Sequence, residues 1–332
     1  MKLTSIFSIF LTILMFTTPC RAIQTPIYTY ESLTKELRQL ASKDEIEVKI
    51  IGKSEFDRNL YAVKLGHGKK NVLITGSHHG REWLSTHIIM NMIHTYVDAY
   101  QSKDSLRGHS LNIVDRVSIW FVPMVNPDGV TIQQKGVNEL PYVLQEILFD
   151  MNNGDENYKR WKANGLGVDL NRQYPAGWET IQGSPRNACY SHYKGKNPLE
   201  AKEARALATF TNEINPMASL AYHTSGREIY WYYYNELDNL ERDLLLVDTI
   251  STVTGYDIAY PPATAFGGGY TDWFIKTFKK PALTLELSYL VEETNPPLSV
   301  LREEWERNKE VGLLLAEFAD SYLDEDREST NE

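Results

Sequence analysis

Hydrophobic positions along this chain switch repeatedly between two spacings, and the switching predicts strands alternating with helices. Glu45–Ile51, Leu60–Leu65 and Asn71–Thr75 are short, rich in β-branched residues, and either alternating or wholly apolar, the pattern of three successive strands. Ser85–Tyr100 then repeats apolar residues at spacings of three and four (Ile88, Ile89, Met92, Ile93, Tyr96, Val97), which predicts a helix with one buried face. Val117–Val125 is a continuous apolar run of strand type, stopped by Asn126-Pro127-Asp128-Gly129, a strong turn signal.

Further along, Leu199–Ile214 predicts a helix, Met217–Tyr222 a strand ending at His223, and Glu228–Tyr233 another strand. A helix over Leu240–Thr254 leads into a Pro- and Gly-rich loop, Pro261–Gly269, and a short helix over Thr271–Phe278. Ala282–Leu287 predicts a strand, Ser299–Leu323 a long terminal helix, and residues 324–332 form a polar tail. Strands separated by helices imply a mixed, mostly parallel sheet covered by helices on both faces. No internal repeat or low-complexity linker divides the chain, so the expectation is one α/β domain over residues 23–323.

The first 22 residues have a different character. Met1-Lys2 precedes the stretch Leu3–Phe16, apolar apart from Thr and Ser, and Thr17–Ala22 supplies a breaker and a small residue suited to signal-peptidase cleavage. The stretch is short beside the ~20 residues of a membrane-spanning helix. It therefore predicts a secretory signal peptide over residues 1–22, with an uncleaved anchor as the alternative. Pro19 stands where a lipoprotein signal needs a small residue before Cys20. Cleavage removes Lys2 and Arg21 and moves the net charge from −10 to −12. Nucleic-acid binding rests on neutralising phosphates, so an acidic chain is a poor candidate for it. Only Cys189 then remains, which leaves no intrachain disulfide and points to a buried, inert thiol. The expected product is a secreted or cell-wall-associated protein with no stable membrane association.

Chemistry concentrates where strands end, the position at which open α/β sheets collect ligands. His79 and Glu82 stand three apart just after the strand Asn71–Thr75; His223 ends Met217–Tyr222; Glu286 is a lone acid inside the apolar strand Ala282–Leu287. Two imidazoles and a carboxylate are ligands that zinc accepts, and three protein ligands leave one position for water. The metal lowers the pKa of that water from about 16 toward about 7, and Glu286 is the natural base to move its proton. Each residue also has a plain structural reading. A histidine at a strand end is commonly a hydrogen-bonded core residue, and Glu286 could be half of a buried ion pair. His78 competes with His79, but its partner three residues on is Arg81, which cannot bind a cation.

Gly-Ser-His-His79-Gly-Arg-Glu82-Trp, Val-Asn-Pro-Asp-Gly, Gly-Val-Asp169-Leu-Asn171-Arg172, the later His223 and Leu-Glu286-Leu occur in the order found in zinc carboxypeptidases of the carboxypeptidase A type. The resemblance runs from about Tyr28 to the terminal helix. It implies one Zn2+ held by His79, Glu82 and His223, Glu286 as general base, and Asn171 with Arg172 gripping a substrate carboxylate. A planar guanidinium suits that bidentate task. Arg81 matches a further substrate-contacting arginine, with an ion pair holding the turn as its plain alternative.

The chain departs from the family pattern in two places. The family's oxyanion-stabilising arginine follows a tryptophan; here Lys162 takes that place, with Arg160 on the other side of Trp161 as a second candidate. The best-known members carry a mobile tyrosine eight residues before the Asp-Trp pair, where this chain has Thr264. Thr271 occupies the position that sets side-chain preference, and it favours neither aromatic nor simple basic C-terminal residues. The run Arg160–Trp178 is similar to a bacterial branch that includes γ-D-glutamyl-L-diamino acid peptidases, which cut peptidoglycan stem peptides. The aromatic run Tyr230–Tyr234 reads equally as cleft lining or as alternating strand packing. The resemblance thus implies a secreted zinc metallopeptidase acting on an amide near a free carboxylate. The γ-D-glutamyl–diamino acid bond is the expected target. A metallocarboxypeptidase releasing C-terminal amino acids is the alternative, and an inactive peptide-binding relative a remote one.

Overall fold

The computed structural model describes residues 27–322. The signal peptide expected over residues 1–22 and the polar tail 324–332 lie outside the described residues. The chain opens with α1 (Tyr30–Leu40) and runs through β1 (Ile46–Lys53), β2 (Asn59–Leu65) and β3 (Lys70–Thr75) into α2 (Leu84–Ser102). A small hairpin, β4 (Ser105–Leu106) and β5 (His109–Ser110), precedes β6 (Val117–Val122), α3 (Pro127–Lys135) and α4 (Tyr142–Met151). A long stretch of short 3-10 turns leads to α5 (Lys202–Ile214), β7 (Ala218–Thr224), β8 (Glu228–Tyr230), α6 (Leu237–Thr254) and β9 (Asp257–Ala259). The chain closes with α7 (Tyr270–Phe278), β10 (Ala282–Leu287), α8 (Leu301–Asn308) and α9 (Val311–Tyr322).

Eight strands form one sheet in the order β1-β2-β6-β3-β7-β10-β8-β9. The four central strands, β6, β3, β7 and β10, run parallel, and antiparallel pairings flank them, β1–β2 and β2–β6 on one side and β10–β8 on the other. Alternate residues serve opposite faces. Val72, Ile74, Leu220, Tyr222, Leu283 and Leu285 join the core beneath α1, α2, α6, α8 and α9. Leu73, Ala221 and Ala282 face the second core, with residues of α5 and α7. The mixed, mostly parallel sheet with helices on both faces is therefore as the periodicity predicts. By the same alternation, His223 and Glu286 fall on the α5/α7 face, at the carboxyl ends of adjacent parallel strands. Among the described residues, no helix is long and apolar enough to cross a membrane.

Several elements differ from what the sequence predicts. Asn126-Pro127-Asp128-Gly129 does not end in a loop but starts α3: Asn126 is the cap, its Oδ1 accepting from the Gly129 N–H at 2.8 Å. Proline at the first helical position costs nothing there, because its missing N–H has no helical partner anyway. The terminal helix is split, because the Gly312 N–H goes to the Tyr96 hydroxyl at 3.1 Å rather than back along the helix. Strand β8 stops at Tyr230, three residues short of the expected end. Helices α1 and α4 were not anticipated; α1 buries Leu33, Leu37 and Leu40 on one stripe. Cys189 is free and half-buried, its thiol donating to the Ser191 carbonyl at 3.0 Å.

Candidate active site

Just beyond β3 the backbone turns sharply to present His79 and Glu82. Gly80 makes the turn possible: a Cβ there would lie 2.5 Å from the Gly129 carbonyl oxygen and 2.9 Å from that of Trp161. The Gly80 N–H donates to the Lys162 carbonyl at 2.9 Å. Asn126 Nδ2 donates to the carbonyls of His78 and Ala163, both at 3.1 Å. The Asn-Pro-Asp-Gly motif thus sews the His79 turn to the Lys162 segment.

His79 Nδ1 lies 2.7 Å from Glu82 Oε1, and His223 Nδ1 lies 2.8 Å from Glu82 Oε2. The two Nδ1 atoms are 3.2 Å apart, and among the described residues this trio is the His/Cys/Asp/Glu group whose ligand atoms, all within 4.8 Å, could hold a metal ion. All three side chains are buried, with exposures of 4%, 4% and 2%. Burial alone would raise the Glu82 carboxyl, but the two imidazoles beside it prevail and hold it well below the usual range. Burial lowers His223, against the pull of Glu82, so its ring favours the neutral, ligating form.

The remaining ring nitrogen of His79, Nε2, faces Asp169 Oδ1 at 3.1 Å. A proton donated there leaves the Nδ1 lone pair directed at the cluster, the arrangement that outer carboxylates impose on metal-ligating histidines. Lone pairs and a carboxylate then converge with no proton of their own between them, and a cation satisfies them all. The donor set therefore fits zinc. His78 is not part of it. Its ring stacks beside His223, with centroids 5.3 Å apart, both its nitrogens are buried without partners, and burial holds it neutral.

Glu286 pairs in register with His223 across β10 and β7, which sets it beside the cluster. Burial pushes its carboxyl well up, the Glu82 charge adds to this, and Lys162 opposes both. A cavity of about 160 Å³ is lined by all nine residues the sequence singles out: His79, Arg81, Glu82, Lys162, Asn171, Arg172, His223, Thr271 and Glu286. Segments as far apart in sequence as His79 and Glu286 therefore share one cleft.

The wall opposite the strand ends comes from the 158–172 stretch. Lys162 Nζ sits 3.5 Å from Asp169 Oδ2 and lines the cleft. Arg160 does not: it bonds to Asn152, through Oδ1 at 3.2 Å and the carbonyl at 2.6 Å, and stacks on Tyr190. Asp169 also caps a short turn, accepting from the Asn171 N–H at 3.0 Å. Arg172 gives one donor to the Asn171 carbonyl (2.9 Å) and one to the Thr264 carbonyl (3.0 Å), leaving the rest of its guanidinium available to a ligand. Arg81 stands at the rim, bonded to the Arg160 carbonyl and to Glu293, each at 3.1 Å. Thr271 and Thr284 share a hydroxyl–hydroxyl bond of 2.7 Å.

A model of the zinc carboxypeptidases matches residues 32–311. The chain belongs to the zinc carboxypeptidase family. This family is zinc-dependent, so the protein is a zinc metallopeptidase by descent. The family member "Gamma-D-glutamyl-L-diamino acid endopeptidase 1" of Lysinibacillus sphaericus is 34% identical over 280 residues, covering 82% of this chain and 68% of that one. Carboxypeptidase B of Rattus norvegicus is 27% identical over 281 residues, 78% of this chain and 62% of that one. Among solved structures, carboxypeptidase A from Helicoverpa armigera superposes with a TM-score of 0.70 at 18% identity, covering 90% of this chain and 75% of that one. That last likeness is one of fold.

Within this family member, sequence alone assigns no role to Asp169 or Thr284 and leaves Tyr230 open between cleft and packing. Asp169 stood in view inside Gly-Val-Asp-Leu-Asn-Arg, two residues before Asn171, and its capping position was the available signal. The aromatic run divides: Tyr230 lines the cleft, Trp231 and Tyr233 are buried in packing, and Tyr234 is exposed.

Proposed function

We propose that the protein is a secreted zinc peptidase that hydrolyses the γ-D-glutamyl–diamino acid bond of peptidoglycan stem peptides. The observation that carries this reading is the single cleft in which His79, Glu82 and His223 meet Glu286, Lys162, Asn171 and Arg172. The similarity to the Lysinibacillus enzyme directs it to that amide. The N-terminal stretch Leu3–Phe16 supports export, and a polar Thr271 with several cations suits a substrate rich in carboxylates and amines.

His79, Glu82 and His223 would hold one zinc ion, which when bound supplies the Lewis acidity that polarises the scissile carbonyl and makes water nucleophilic near neutral pH. Glu286 takes the proton of the attacking water and returns it to the leaving nitrogen. Lys162 stabilises the negative charge that develops on the carbonyl oxygen, an effect typically worth a few kcal/mol. Asn171 and Arg172 grip the carboxylate of the leaving residue, and Arg81 contacts the substrate from the rim. Asp169 acts through His79 and Lys162 and is a positioning residue.

The test is to incubate zinc-loaded mature protein with L-alanyl-γ-D-glutamyl-diaminopimelate and with ordinary α-linked peptides, with and without chelator, and to identify products by mass spectrometry. Chelator-sensitive release of the diamino acid is the expected result. Release of C-terminal residues from ordinary peptides alone would make the protein a conventional metallocarboxypeptidase. Zinc binding without hydrolysis of either would make it a peptide-binding relative. The exported form should begin at Ile23.

A further inference from the structure

A groove of about 920 Å³ lies outside the cleft, between α4 and the end of α3. One wall is a single stripe of α4, because Tyr142, Gln145, Glu146, Phe149 and Asp150 recur at helical spacings of three and four. The rest of the lining comes from Gln133–Lys135, at the end of α3, and from residues 136–138 and 156–159. Helix α4 is thinly covered for so apolar a sequence. Leu148 is its one fully buried residue, while Tyr142 is 71% exposed and Phe149 38%. Large apolar side chains gathered on an open surface mark an interaction site. Seven residues of helix rise about 10.5 Å, so the two rings stand two turns apart along one face.

Between and around the rings the lining is polar but almost uncharged. Five amide side chains border it, those of Gln133, Gln134, Asn138, Gln145 and Asn157. Its two lysines are engaged: Lys135 pairs with Glu31 at 3.0 Å, and Lys159 Nζ donates to the Gln133 carbonyl at 3.4 Å. Of its three acids, Glu146 accepts from the Tyr142 phenol, and the side chains of Asp150 and Glu156 have no protein partner among the described residues. Asn157 spends its Oδ1 on the Lys159 N–H at 3.1 Å and keeps its amide donors. Two cations against three anions leave the groove near neutrality, so it holds little long-range attraction for a charged partner of either sign. The groove also adjoins the cleft. Tyr158 and Lys159 line the one and Lys162 the other, within about 11 Å of backbone, and Arg81 at the cleft rim bonds to the Arg160 carbonyl between them.

We propose that the α3–α4 groove binds a chain of β-1,4-linked N-acetylhexosamines, the glycan strand that carries the stem peptide. The glycan assignment rests on the wall-peptide reading above; the saccharide chemistry rests on the groove itself. A sugar ring has an apolar C–H face and an edge of hydroxyls, each both donor and acceptor. Exposed aromatic rings cover such a face. A side-chain amide sets a donor beside an acceptor and so serves neighbouring hydroxyls or an acetamido group together, while the carboxylates of Asp150 and Glu156 accept strongly from hydroxyls. The spacing of Tyr142 and Phe149 is about the length of one β-1,4-linked disaccharide, so the two rings fall under equivalent sugars of a repeating chain. A phosphate polymer would need free cations, and both lysines are occupied. An apolar helix would strip water from five amides and return nothing. The volume stands at the upper end of the ~300–1,000 Å³ of small-molecule sites, room for several sugars rather than one. One polymer could then lie with its sugars in the groove and its peptide in the cleft.

Two measurements on the zinc-loaded protein test this. Titration calorimetry with tetra-N-acetylchitotetraose reads the groove without turnover. Wild type should bind it with an affinity that salt barely changes, and Tyr142→Ala and Phe149→Ala should each weaken binding about 3- to 10-fold, the worth of one aromatic contact. Tyr142 is mostly exposed, so its removal leaves no cavity, and melting temperatures check both variants. The second measurement compares kcat/KM for L-alanyl-γ-D-glutamyl-diaminopimelate, free and attached to a wall tetrasaccharide. Wild type should prefer the attached form by about 10-fold or more, through KM, and the double variant should lose that preference while cleaving the free tripeptide as before. Absence of saccharide binding, or equal binding by wild type and the double variant, overturns the proposal. So does salt-sensitive binding of oligolysine in place of the saccharide, which would give the groove to a basic partner. Chitotetraose binding with no preference for the attached tripeptide would overturn the glycan-strand assignment. If the saccharide binds through both rings but neither tripeptide is cleaved, the wall-peptide reading fails and the saccharide site stands; equal cleavage of both with no saccharide binding gives the reverse.

Discussion

Replacing Asp169 by asparagine tests whether the metal centre depends on a residue that never touches the ion. Asp169 is fully buried, and its Oδ1 accepts from both His79 Nε2 (3.1 Å) and the Asn171 N–H (3.0 Å). Its Oδ2 faces Lys162 Nζ at 3.5 Å. Burial favours protonation of this carboxyl, but Lys162 and His79 prevail and hold it well below the usual range, so it is a carboxylate at working pH. Asparagine can keep the Oδ1 contacts only by turning its NH2 group toward the Lys162 ammonium, donor against donor. Turned the other way, it spares Lys162 but sets its NH2 against the Asn171 N–H and against His79 Nε2, which favours the tautomer with the proton on Nδ1, toward the cluster. Both outcomes remove the negative charge that stands behind the His79 ring. Losing such an outer partner typically weakens metal binding about 10- to 100-fold, or roughly 1.4–2.7 kcal/mol. Competition with a fluorescent zinc chelator measures the affinity directly, without relying on activity. Circular dichroism confirms that the variant is folded. A folded Asp169→Asn protein binding zinc within twofold of wild type would refute the positioning argument.

Glu286→Gln should keep zinc affinity within a few-fold and lose about 10²–10⁴ in kcat, the span of general acid–base catalysis; zinc titration and steady-state assays of the same preparation check both halves. Lys162→Ala should lower kcat through lost charge stabilisation, about 10²-fold, whereas Arg160→Ala should lower the melting temperature with kcat little changed. Reversal of that pattern would move the oxyanion role to Arg160. Glu203 gives a pH prediction that is independent of the metal. Burial and the nearby Asp128 charge raise its carboxyl to about 8 in the folded protein. Folded chains thus keep a proton that unfolded chains release above about 4.5, so this residue's contribution to stability falls as pH rises from 4.5 to 8 and is flat outside that window. Urea midpoints measured in chelator should therefore show Glu203→Gln gaining on wild type as pH rises from 5 to 8; parallel curves would refute the assignment. Asp272, raised to about 7 by burial, adds a similar slope to both proteins and cancels in the comparison.

The strands and helices that frame the site were legible because their periodicity records which face is buried. The runs Asn71–Thr75, Met217–Tyr222 and Ala282–Leu287 are apolar because the central parallel strands are covered on both sides. The lone acid in the last of them stands out against that background. Where a local signal serves two structures, spacing along the chain does not distinguish them. Asn-Pro-Asp-Gly satisfies a turn and a capped helix start equally well, and only the hydrogen bonds to His78 and Ala163 choose between them. The terminal helix broke where a tyrosine from α2 claimed a backbone N–H, a partner 216 residues away that no local window contains.

By itself the sequence determined the alternation of elements, the residue types at the strand ends and the family to which their order belongs. Those properties follow from side-chain chemistry and nearest-neighbour spacing along one chain. Which of Lys162 and Arg160 faces the cleft, and that Asp169 steadies the centre, were decided by tertiary structure alone. So was the meeting of Thr271, Thr284 and Tyr230 at the cleft floor, assembled from three elements with β10 beside β8. Neighbouring residues share nearly the same sequence context. Sheet register and strand order turn one side chain into the cleft and its neighbour into the core, and those are set by pairings between segments far apart in the chain.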